Sequence, residues 1–122
     1  MILGIGVDLV CTRRIQALIA KYGNKFTNRI FSEKEILDSL KYRDEYARAR
    51  HFAKRFAAKE AYVKALGLGF GRGVEAKDIS VYNDPYGQPM ISLEGGALRN
   101  GHVKLSMSDD GDYAIAFVTL HT

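Results

Sequence analysis

Apolar and polar positions alternate over residues 2–10. Leu3, Ile5, Val7 and Leu9 share one side, and Ile2, Gly4, Gly6, Asp8 and Val10 share the other. That period of two predicts a β-strand, and the glycines leave room for another element to approach its second side closely. The pattern then lengthens to a helical period. Thr12 stands as an N-cap for a helix over about 13–22, with Gly23 as its C′ residue. Ser32-Glu33-Lys34-Glu35 has the spacing of a capping box and opens a helix to about Tyr42. Asp44 is placed to cap the longest helix, about 45–66, and Gly67-Leu68-Gly69-Phe70-Gly71-Arg72-Gly73 ends it.

Beyond the glycines the period returns to two. Ile79-Ser80-Val81-Tyr82 and Met90-Ile91-Ser92-Leu93 read as short strands around the turn Asp84-Pro85-Tyr86-Gly87, which has Pro second and Gly fourth. Gly95-Gly96 interrupts the chain again. Val103 to Met107 alternates, Asp109-Asp110-Gly111-Asp112 reads as a hairpin turn, and Tyr113 to Val118 as a buried strand. One strand, then helices, then a run of strands predicts an α+β fold. It is expected as a single domain over 1–122, its largely antiparallel sheet packed against a long central helix, and not as a doubly wound fold.

The chain has 122 residues, and a domain of that size buries only part of its surface, so oligomerisation is a plausible source of further burial. The net charge of +4 hides an asymmetry. Residues 1–73 carry 15 Lys/Arg against 7 Asp/Glu, a net +8, and residues 74–122 carry 3 against 7, a net −4. The basic half points to an anionic partner, or is simply a solvated helix face. Cys11 is the sole cysteine, which excludes an intrachain disulfide and suits a reducing cytoplasm. The apolar start, Met1 to Val7, lacks a basic leader and is stopped by Asp8, so neither a signal peptide nor a membrane span is expected.

On a wheel of about 100° per residue, Tyr46, Ala49, Ala53, Phe56 and Ala57 fall within about 60° of Glu60. Arg48, Arg50, His51, Lys54, Arg55 and Lys59 fall on the sides and back. Glu60 is thus predicted as a carboxylate in an apolar stripe, and such a group needs a partner. Lys64, at i+4, offers an ordinary helix pair worth about 0.2–0.5 kcal/mol. A metal ion is the other partner. Asp8 reads as an acid capping the following helix, or as a second ligand. If the helix 45–66 packs on the glycine side of the first strand, Asp8 and Glu60 converge. Flanked by Lys and Arg, they then suit Mg²⁺ bound jointly with substrate phosphates. The glycine run 67–73 follows a helix instead of opening one, so it is neither a P-loop nor a dinucleotide fingerprint. It reads as a C-cap and connection, or as backbone passing close to a ligand. His51 is expected in solvent on the charged face, and His102 and His121 at strand edges; their spacing is not that of zinc ligands.

With these residues in place, the chain resembles the holo-acyl-carrier-protein synthases, a 4′-phosphopantetheinyl transferase family. Two blocks carry the resemblance. One is Gly4-Ile5-Gly6-Val7-Asp8-Leu9-Val10 followed by Arg14-Ile15. The other is Arg55-Phe56-Ala57-Ala58-Lys59-Glu60-Ala61 with Lys64-Ala65 and then Gly67, Gly69 and Gly71. Weaker matches are Asp78-Ile79, Gly87-Gln88-Pro89, Ser106 with Ser108, and Tyr113-Ala114 with Ala116. The resemblance implies transfer of phosphopantetheine from coenzyme A to a serine of an acyl carrier protein, releasing adenosine 3′,5′-bisphosphate, in fatty acid biosynthesis. It implies Asp8 and Glu60 as Mg²⁺ ligands, Glu60 and Lys64 as catalytic residues, and Lys64 on phosphate. It also implies Arg55, Gly67, Gly69, Gly71 and Pro89 around the nucleotide. Arg14, Lys21 and Lys25 are implied in docking an acidic carrier. A homotrimer with active sites at its subunit interfaces is implied too, with no nucleic-acid or membrane partner. Asp109 stands where many relatives have His, and Cys11-Thr12-Arg13 where many have an acid. Two other readings compete: a nucleic-acid module using the basic half with Tyr22, Phe26, Tyr42 and Tyr46, and a relative that has lost activity.

Overall fold

The computed structural model describes residues 1–67, 74–94 and 101–122. The long helix, α4 (Glu45–Leu66), organises the rest. Asp44 caps it by accepting from the Ala47 N–H at 2.8 Å, and Gly67, at φ 75°, closes it in the left-handed conformation that suits a glycine. Across it lies a three-stranded antiparallel sheet of order β1-β5-β4, built from β1 (Ile2–Cys11), β5 (Tyr113–His121) and β4 (His102–Asp110). Ala114, Ala116, Val118 and Leu120 alternate inward from β5 and join Ala53, Ala57, Ala58 and Ala61 of α4 in the core. A second antiparallel pair, β2 (Ile79–Asn83) with β3 (Pro89–Leu93), turns at Asp84–Gly87 as the Pro and Gly positions predict. The expected sheet is therefore two sheets. No helix among the described residues is long and apolar enough to cross a membrane.

Three shorter helices connect β1 to α4: α1 (Thr12–Tyr22), α2 (Asn24–Ile30) and α3 (Glu33–Ser39). Thr12 is not the cap of α1 but its first residue, with a buried side chain. Its backbone N–H donates to the Asp112 carbonyl at 2.7 Å, so the β4–β5 turn holds this junction. The helix α2 was not expected. Its Asn and Thr are weak helix formers, and burial of Thr27 with packing of Phe26 and Ile30 on the core decides its conformation. The capping box at Ser32 forms with both of its hydrogen bonds, but α3 stops at Ser39, where the hydroxyl bonds back to the Ile36 carbonyl at 2.5 Å.

The reading of α4 as a helix with one apolar stripe is corrected. It packs against β1 and β5 on one side and against α1, α3 and β2 on others, so it is buried nearly all round. Glu60 and Phe56 are half-exposed, while His51, Arg55 and Lys59, expected on the sides and back, are buried. His51 is 3 % exposed, not solvated. Its ring lies beside Tyr42 and Phe52, and its Nε2 meets the Glu35 carbonyl at 2.8 Å.

Burial, reinforced by the nearby Arg55 cation, pushes His51 down from 6.5 to about 4. Between those values the unfolded chain binds the proton and the folded chain does not. Stability therefore rises with pH across that window, is complete above about 6.5 and is lost towards 4, by roughly 3 kcal/mol. Urea midpoints of the parent are expected to fall between pH 6.5 and 5. His51→Gln, which keeps a donor and does not titrate, is expected to flatten that fall. Equal losses in both proteins contradict the assignment.

Candidate active site

The site begins with two glycines. A Cβ on Gly6 would run into the Ala61 carbonyl oxygen, and one on Gly4 into that of Ala65. Only glycine lets β1 lie backbone to backbone on the last turns of α4. Asp8 follows Gly6 on the same side of β1, and Glu60 immediately precedes Ala61. The expected convergence of the two acids thus follows from the contact made by Gly6.

Lys64, one turn beyond Glu60, does not pair with it as an i, i+4 neighbour. Its Nζ donates to Asp8 Oδ1 at 3.0 Å and to the Val7 carbonyl at 2.9 Å. The Lys64 side chain is 53 % exposed and that of Asp8 17 %. Glu60 has no ion-pair partner among the described residues. Burial pushes its carboxyl above the usual range, Asp8 pushes it further, and Lys64 and Arg14 pull it back. Asp8, Glu60, Lys64 and Arg14 therefore share one electrostatic neighbourhood where β1, α1 and α4 meet. Among the described residues no three His, Cys, Asp or Glu gather as a metal cluster, so the acids form a pair and not a protein cage.

The residues expected around the nucleotide separate. Arg55, 7 % exposed, donates to Asn83 Oδ1 at 2.8 Å, and Asn83 Nδ2 donates to the Gly87 carbonyl at 2.9 Å. Asn83 is also the register partner of Pro89, so Arg55 and Pro89 belong to one locality at the turn between β2 and β3. Gly67 sits at the end of α4, exposed. Gly69 and Gly71 lie outside the described residues. Arg14 and Lys21, in the first and last turns of α1, and Lys25, on α2, are all exposed.

Three features escaped the sequence reading. Glu35, read only as a capping-box acid, is fully buried and ion-paired at 2.7 Å with Lys59. The signal was present, because Lys59 falls at i+4 and i+8 from Arg55 and His51. Asn83 became visible only through its bond to Arg55. Asp109 pairs with Lys54 at 3.0 Å and approaches Arg50 at 3.8 Å, so it anchors the end of β4 on α4.

Known proteins share this architecture. A family model described as the 4′-phosphopantetheinyl transferase superfamily matches residues 4–118. A holo-[acyl-carrier-protein] synthase of Anaplasma phagocytophilum is 99 % identical over all of both chains. One from Anaplasma marginale is 64 % identical over 99 % of each. Among solved structures, a holo-[acyl-carrier-protein] synthase of Neisseria meningitidis has a TM-score of 0.87 at 37 % identity over all of both chains. That of Bacillus anthracis, in complex with CoA (3′,5′-ADP), has a TM-score of 0.86 at 37 % identity over 98 % and 96 %. The match of a family model across residues 4–118, on a chain whose two sequence blocks meet in space at Gly6 and Ala61, leads to one assignment: the chain belongs to the 4′-phosphopantetheinyl transferase superfamily.

Proposed function

We infer that the chain transfers the 4′-phosphopantetheine group of coenzyme A to a serine of an apo-acyl carrier protein. The products are the holo-carrier and adenosine 3′,5′-bisphosphate, and the reaction serves fatty acid biosynthesis in the cytoplasm. The observation that carries this reading is the meeting of Asp8, Glu60 and Lys64 at the contact between β1 and α4.

The residues fit a divalent cation. Glu60 is half-buried beside a second acid, and both effects disfavour its charge, so it gains when a cation arrives. Asp8 and Glu60 would hold Mg²⁺, and that ion would supply charge neutralisation at the coenzyme A pyrophosphate. Lys64 is anchored by the Val7 carbonyl and exposed enough to donate to a phosphate oxygen. The serine hydroxyl oxygen bonds to the β-phosphorus as the bond to the bridging oxygen breaks; the nucleotide leaves with that oxygen and the hydroxyl proton passes to solvent. The protein's part is orientation and preset charge. Arg55, through Asn83, and Pro89 serve the nucleotide at the β2–β3 turn, while Gly67, at the end of α4, and Gly69 and Gly71, beyond the described residues, are assigned to it by family resemblance. Arg14, Lys21 and Lys25 guide the acidic carrier. Arg14, in the first turn of α1, acts on Glu60 electrostatically, so this docking helix begins beside the reacting centre.

The active unit is a homotrimer with sites at its subunit interfaces. Supporting this, the outer side of the first sheet is apolar and uncovered: Ile5, Val7 and Leu9 are 60 %, 49 % and 62 % exposed. Phe117 and Ile115, the register partners of Val7 and Leu9 on β5, continue the patch. A patch of this kind marks a surface meant for another chain, and further copies of this one are the occupant.

Asp8→Ala and Glu60→Gln are each expected to lower transfer, read by the mass gain of an apo-carrier, by about 100-fold or more. Glu60→Gln should not lower the melting temperature, since it removes one of two like charges, and Asp8→Ala should change it little, since it gives up only the part-exposed Lys64 pair. Near-parental rates in either variant contradict the ligand assignment. Arg14→Glu is expected to raise the carrier KM by about tenfold with a smaller change in kcat. An unchanged KM places docking elsewhere. Sedimentation is expected to give a trimer for the parent and smaller species for Phe117→Asp; a monomeric parent contradicts the assembly.

A further inference from the structure

His51, Arg55 and Lys59 recur every fourth residue on α4, and all three are buried on the side facing α3 and β2. The mechanism uses none of the contacts made by Lys59. Its Nζ donates to Glu35 Oε1 at 2.7 Å, to the Ala76 carbonyl at 2.9 Å and to the Ile79 carbonyl. Glu35 Oε1 also accepts the Ser32 N–H at 2.8 Å, and Oε2 accepts the Val81 N–H at 2.7 Å. Both side chains are 0 % exposed.

The Ile79 carbonyl and the Val81 N–H lie on the edge of β2 turned away from β3. An unpaired edge normally invites another strand. Here two side chains take the strand's place and join β2 to α3 and α4. Further along β2, Arg55 reaches Asn83, which holds Gly87. The strand is thus fastened to α4 twice, at its base by Lys59 and at its tip by Arg55.

A buried ion pair adds little stability over well-packed apolar residues of the same volume. What apolar residues would not supply is an acceptor for Val81 and donors for Ala76 and Ile79. We infer that the buried Glu35–Lys59 pair is a positioning device for the nucleotide end of the site: it fixes β2 on α4 so that Arg55, Asn83 and the turn before Pro89 meet. Neither residue touches substrate. Glu60 and Lys64, on the same helix, serve the reacting phosphates. The inference rests on the functional reading above.

Steady-state kinetics of Glu35→Met/Lys59→Met, in which no unpaired charge stays buried, tests it, with Glu35→Gln as a second variant. Both are assayed well below their melting temperatures. The KM for coenzyme A is expected to rise about tenfold or more, because small displacements of a binding wall are costly, while the carrier KM and kcat stay within about twofold. Calorimetric affinity for adenosine 3′,5′-bisphosphate is expected to fall in proportion. An unchanged coenzyme A KM in either folded variant, or an equal rise in both KM values, overturns the positioning role. A parent chain without transfer activity removes the functional reading, and this inference with it.

Discussion

The structure depends on one close approach, that of the first strand to the last turns of the long helix. Gly4 and Gly6 have no side chain to hold the backbones apart, and Ala61 and Ala65 are the small residues that meet them. This contact does more than fill the core. Because side chains on a strand alternate, the residue two beyond Gly6 leans over the same helix, and that residue is Asp8. Because α4 turns once every 3.6 residues, the residue before Ala61 points beside the strand, and that residue is Glu60. Two acids distant in sequence are thereby set side by side. Lys64 bridges strand and helix without neutralising both.

Much of this was legible in the sequence. The β1 pattern, the glycines on one side of it, the capped helix 45–66 and the turn at Asp84–Gly87 all correspond to structure, because each follows from local rules of period and turn chemistry. What was not legible came from burial by distant elements. A helix wheel assumes one wet face, and α4 has almost none. The wheel therefore puts His51, Arg55 and Lys59 on the sides and back, with His51 in solvent, when all three are enclosed by α3 and β2. Glu60 was placed in the apolar stripe when it lies at the margin of the core. Glu35 satisfied a local rule at the start of α3, and that rule concealed its second task across the chain. The helix α2 has too little apolar periodicity to announce itself.

Among the cations of the basic half outside the site and the β2 anchor, two groups have different uses. Arg14, Lys21 and Lys25 remain at the surface, where their charge is available to an anionic partner. Arg13, Arg50 and Lys54 are engaged at the β4–β5 turn, with Arg13 on Asp112 and the other two on Asp109. Tyr46 completes this cluster by donating to Asp112 at 2.5 Å. The turn thereby ties the start of α1 to α4, with Asp109 serving this anchoring. Net charge alone could not separate the two uses; the partners of each cation do.

The most direct test is a crystal of the chain grown with coenzyme A and Mn²⁺ in place of Mg²⁺, with the anomalous signal of the ion recorded. One peak is expected between β1 and α4, within about 2.5 Å of a carboxylate oxygen of Asp8 and one of Glu60, and in contact with the pyrophosphate. Bound coenzyme A with the ion elsewhere, or ligated by neither acid, would contradict the account.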